Sequence, residues 1–122
     1  MTRYLMVLVI ILVVFFSLTS DLAALDFFEL CRTGTPEEAK RAIESGAEVN
    51  LAERLYSYSP HLSPLIEAAR YNSNPEVVKI LIEAGANPKV VDIYGKKAID
   101  YADENIALRG TDVYWELNDR SF

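Results

Sequence analysis

The chain reads as an all-α protein, a solenoid of about three short helix pairs laid side by side. Three observations predict this. Apolar residues recur at helical spacing in short bursts. Proline opens the bursts and glycine closes them, as their backbone preferences require. The pattern also returns with a period near 33 residues: Leu65 pairs with Ile99 and Ala68 with Ala102, each 34 positions on.

The first element is of different material. Leu5 to Phe16 is unbroken apolar, Arg3 is the sole basic side chain before it, and Ser17, Thr19, Ser20, Ala23 and Ala24 follow. A basic start, a short apolar run and small residues describe a secretory signal peptide over residues 1–24, cut after Ser20 or Ala24. Leucine stands at the −3 position for either cut. An uncleaved anchor is the rival, since Tyr4 to Ser20 is uncharged for 17 residues, at the low edge of a bilayer span. No cysteine stands directly after the run, which argues against a lipoprotein anchor. Residues 25–122 then form the repeat domain, with units at about 25–50, 59–88 and 92–118.

Leu25 to Thr33 reads as the first inner helix, with Asp26 and Glu29 resembling a cap. Phe27, Leu30 and Cys31 face the next helix. Thr35, Pro36 and Glu38 open a second helix with a capping-box pattern, and Gly46 closes it. The loop L-A-E-R-L-Y-S-Y-S-P-H-L, residues 51–62, is longer than the repeat requires. Insertions in solenoids fall in loops, often on the binding face. Tyr56, Tyr58 and His61 suit recognition there; equally, Leu55, Tyr56 and Leu62 suit folding back onto the core.

The stretch Ser63 to Asn87, S-P-L-I-E-A-A-R-Y-N-S-N-P-E-V-V-K-I-L-I-E-A-G-A-N, holds the clearest pair. Ser63-Pro64 and Asn74-Pro75 are starts, and Gly85 is the stop. Leu65, Ala68 and Ala69 form one apolar stripe; Val77, Val78, Leu81 and Ile82 form the other. A hairpin-like loop over Pro88–Lys97 follows. The third inner helix is expected from Ala98 to about Leu108. Thr111-Asp112 caps a last helix that packs Val113, Tyr114 and Leu117, with Trp115 on its closing face. Asp119 to Phe122 reads as a frayed end.

At P-L-I-E-A-A, E-V-V-K-I-L-I-E-A-G-A-N and D-I-Y-G the chain resembles the ankyrin repeat family. The likeness spans about Leu25 to Leu117, and with the apolar start it suggests a small exported protein of bacterial type. It implies an ankyrin-repeat solenoid with β-hairpin-like connecting loops. It also implies a protein partner held by the hairpin tips and the concave face of the inner helices. Carried onto this sequence, that surface holds Glu29, Arg32, His61, Glu67, Arg70, Tyr71, Tyr94, Lys96, Tyr101 and Glu104. Tyr71 and Tyr101 fit partial burial between helices equally well. The family's histidine is Ile66 here and its Thr-Pro is Lys97-Ala98, so the polar locks those residues make are not expected.

The chemistry of other classes is missing. The sequence has 122 residues, a formal charge of −6, one histidine and one cysteine. Without residues 1–24 it keeps 11 basic and 17 acidic side chains, so the charge stays −6. An acidic domain with no basic run is a poor nucleic-acid binder. No phosphate loop, dinucleotide fingerprint, nucleophile elbow or zinc-ligand spacing occurs, so no catalytic, metal or cofactor site is expected. Cys31 has no partner for an internal disulfide and reads as a buried apolar group. The expected role is a non-enzymatic interaction module outside the cytoplasm. The alternative is a membrane-tethered structural or accessory subunit of an envelope complex. Contact with the membrane is expected only through residues 1–24, if they stay attached.

Overall fold

The computed structural model describes residues 2–51 and 63–122, without the side chains of residues 17–25. The six α-helices among them are α1 (Thr2–Thr33), α2 (Pro36–Glu44), α3 (Pro64–Tyr71), α4 (Pro75–Glu83), α5 (Ala98–Glu104) and α6 (Asp112–Arg120). No strand occurs among the described residues.

The helices make two layers. The C-terminal part of α1, α3 and α5 lie side by side in one, and α2, α4 and α6 in the other. Each inner helix also packs on the outer helix that follows it. Helices of two turns do not persist alone in water, so this mutual packing holds them. One continuous core results. Phe27 and Cys31 of α1 meet Leu65, Ala68 and Ala69 of α3, with Ile99 and Ala102 of α5 beyond them. Val77, Val78, Leu81 and Ile82 of α4 and Leu117 of α6 close it from the outer layer. The fully buried alanines leave no bulk between axes, which lets the short helices approach.

Local chemistry sets the helix ends. Thr35 Oγ1 accepts from the Glu38 N–H at 3.2 Å, and Glu38 Oε2 accepts from the Thr35 N–H at 2.8 Å, a complete capping box. Asn74 Oδ1 accepts from the Glu76 N–H, and Thr111 Oγ1 from the Tyr114 N–H. Ser63 differs. Its backbone is extended but its buried side chain makes no cap bond, so α3 starts on Pro64 alone. At the far ends of α2 and α4 the same device recurs. Gly46 and Gly85 have φ of 98° and 95°, and the N–H after each reaches back to the carbonyls of Ala42 and Leu81.

Three expectations are corrected. A first inner helix starting at Leu25 is replaced by the end of α1. No glycine or proline interrupts residues 2–33, so the helix passes through the 24/25 boundary and Asp26 caps nothing. Along it, Tyr4 to Phe16 are exposed while Phe27, Phe28 and Cys31 are buried. Among the described residues no helix is long and apolar enough to cross a membrane. Second, α5 stops at Glu104 rather than near Leu108, because Asn105 leaves the helix to bond elsewhere. Third, the C-terminal residues are tied down: α6 runs to Arg120, Ser121 is buried, and Lys97 Nζ donates to the Ser121 carbonyl at 2.7 Å.

Two asparagines fix the spacing of the inner helices. Asn72, just after α3, donates through Nδ2 to the carbonyls of Cys31 (2.9 Å) and Gly34 (3.1 Å). Asn105, just after α5, donates to those of Ala69 (3.0 Å) and Asn72 (2.9 Å). Their Oδ1 atoms turn the chain by accepting from Asn74 and Ala107 N–H. Each side chain thus satisfies the open carbonyl end of the preceding helix. In the outer loops Asn50 does similar work, donating to Gly85 O and accepting from Asn87 N–H.

Candidate protein-interaction surface

On α3, Leu65, Ile66, Ala68 and Ala69 are spent on the core. Helical spacing then turns Arg70 and Tyr71 to the open side of the inner layer, and both are exposed. The same phase brings Arg32 at the end of α1 beside them, and Tyr101 and Glu104 of α5 on the other flank.

These side chains form one row. Arg32 lies 3.9 Å from Glu29 and 3.4 Å from Glu67. The second contact is longer than a good hydrogen bond, and the Arg32 Nε has no hydrogen-bond partner. The Arg32 guanidinium also sits 4.4 Å from the Tyr71 ring centre. Arg70 lies between two rings, 4.8 Å from Tyr71 and 5.0 Å from Tyr101. Lys96 Nζ is 5.1 Å from the Tyr101 ring and 3.2 Å from Glu104. All four ring contacts fall within the range where a cation is drawn to an aromatic face. Cation and ring therefore alternate from α1 to the turn before α5.

Asp92 anchors the far end. Its Oδ1 accepts from the N–H groups of Tyr94 (2.9 Å) and Lys96 (3.0 Å), and its Oδ2 accepts from the Tyr101 hydroxyl. With Gly95 at φ 72° this closes a tight turn that the Asp92 N–H completes by donating to Lys96 O. The turn holds Ile93 and Tyr94 out in solvent, Tyr94 being 67% exposed. Burial, then the bond to Asp92, pushes the Tyr101 hydroxyl up to about 12, so it stays protonated and donating.

Of the residues the sequence points to, Arg70, Tyr71, Lys96 and Glu104 lie open on this row, and Tyr94 stands at its edge. Glu67 and Tyr101 are each only 5% exposed, so they support the row from beneath. Tyr56, Tyr58 and His61 lie outside the described residues. Asp92 was legible only as a turn residue. Its hold on Tyr101 depends on the loop folding over α5, which no local pattern records. The asparagine locks were missed too, although Asn at the end of two inner helices, 33 residues apart, was the available signal.

The row offers charge and ring faces rather than reactive groups. Among the described residues no group of three or more His, Cys, Asp or Glu is placed to hold a metal ion. The Cys31 thiol is buried, and burial, with Glu67 nearby, pushes it up to about 12, so it stays an unreactive thiol at neutral pH.

Residues 61–93 match the family model described as Ankyrin repeat. No curated protein and no solved structure matches the chain.

Proposed function

Because the chain carries an ankyrin repeat at residues 61–93, a unit that generally mediates protein–protein contact, we propose that it is a non-enzymatic docking module. Its partner is a protein held on the inner row and against the Asp92–Lys96 turn. One observation carries this reading: Arg32, Tyr71, Arg70, Tyr101 and Lys96 form an unbroken cation–ring series, with Tyr94 projecting beside it. Large rings and guanidinium groups held in place give contact area without much ordering cost, as binding hot spots require. The apolar start supports action outside the cytoplasm.

The test is a cross-linking capture from the native compartment, repeated with the Tyr94→Ala, Arg70→Ala double variant. The variant is expected to keep its helix content and melting temperature and to lose the wild-type cross-links. Retention of every cross-link would remove this surface from the reading.

The unbroken α1 favours a second reading beside the first. The helix that carries the apolar stretch also carries Phe27, Phe28 and Cys31 into the core. In this reading the stretch is kept and holds the domain at a membrane as an accessory subunit. Mass spectrometry of the mature N-terminus separates the two. A start near residue 25 supports release, and an intact apolar stretch supports tethering.

A further inference from the structure

We infer that the partner inserts the side-chain carboxylate of an aspartate or glutamate against Arg70. The inference rests on the docking row above and names the chemistry it selects.

The row's three cations are not equivalent. Arg32 is matched by Glu29 and Glu67, and Lys96 by Glu104. Arg70 is matched by no carboxylate among the described residues, and its N–H groups make no hydrogen bond within the protein there. Its contacts are the faces of Tyr71 and Tyr101. Two rings attract the cation and restrict where it points, but they leave its donors unused. Guanidinium presents those donors as a flat fork that fits the two oxygens of a carboxylate.

The fork is also held in place. Tyr101 is buried and its hydroxyl is tied to Asp92, so one wall of the slot is fixed by the fold. Tyr71 is shared with Arg32, which steadies the other wall. A long side chain already confined loses less freedom when it binds. The surrounding acids sharpen the choice. Arg32 and Lys96 are already matched on either side by Glu29, Glu67 and Glu104, so an approaching anion is favoured at Arg70 over its neighbours. A single acidic side chain between neutral neighbours fits this field; an acidic run does not.

The experiment selects displayed random peptides, fused at their C-termini, against the full-length chain. Fusion removes the terminal carboxylate, so only side-chain acids are offered. The wild type is expected to enrich peptides with one Asp or Glu at a fixed position. Arg70→Gln should weaken the enriched peptides about tenfold or more, the scale of losing one partner of a charge-assisted contact. Arg70→Glu should invert the preference toward Lys or Arg at that position. Binders that respond to Tyr94→Ala but show no acidic preference would overturn the inference and leave the docking row standing. Binders indifferent to both Tyr94 and Arg70 would overturn both, and a selection with no binders overturns the inference.

Discussion

At Tyr101 one side chain serves the core and the surface together. Its ring walls the Arg70 slot, while its hydroxyl closes the Asp92 turn. This makes a pH prediction. The hydroxyl's pKa is raised in the folded protein from 10.0 to about 12, so the folded state holds its proton more tightly than the unfolded chain. That stabilisation is fully present below pH 10 and is lost as pH rises to about 12. Tyr101→Phe removes the hydroxyl, costing on the order of 1 kcal/mol below pH 10. The stability gap between wild type and variant should then shrink through that window. Urea titrations on both sides of pH 10 measure it, and a gap independent of pH would reject this account of the hydroxyl.

At the scale of elements, the joints between helices decide more than the helices do. Asn72 is buried and bridges α3 to two carbonyls at the end of α1, whereas Asn105 is half-buried. Alanine at position 72 strands those carbonyls and frees the Asn74 turn, so it should cost about 1–3 kcal/mol, with Asn105→Ala the milder of the two. Denaturant midpoints of the single variants give the ordering. Equal effects would show that burial does not set the strength of the lock. The same joints mark what the sequence could tell. Pro36, Pro64 and Pro75 with Gly46 and Gly85 act on their own backbones, so the starts of α2, α3 and α4 and the ends of α2 and α4 were readable locally. The stop of α5 was not. Asn105 ends it to reach Ala69 and Asn72, a need created only when the helices are already side by side. Ser63 misled for the converse reason: a residue suited to capping was buried by its neighbours instead.

For the whole molecule, phase proved the most informative signal. It placed Leu65 and Ile99 in one core and set Arg70, Tyr71, Lys96 and Glu104 along one face, because a repeat that keeps its period keeps its faces. It could not separate Tyr101 and Glu67, which sit under that face, from the residues on it. Nor did the pattern of a processed leader foresee one helix from residue 2 to residue 33. That helix makes the last prediction. Tyr4 to Val14 are exposed and belong to no buried cluster, an apolar surface larger than soluble monomers usually show. In the tethered reading the full chain binds phospholipid vesicles, and deleting residues 2–14 should abolish that binding while leaving the thermal midpoint within the small range of surface changes. A large fall in the midpoint would mean that the stretch packs on the domain.

An unjointed α1 also transmits heading. With no proline or glycine between residues 2 and 33, the rod cannot swivel where it enters the stack. Each added residue turns an α-helix by a fixed angle, so the count of residues from the amino end sets the compass bearing of Arg32 and of the slot beside it. Inserting one residue in the exposed part would rotate the whole cation–ring row about the rod by roughly 100°, without altering any atom within it.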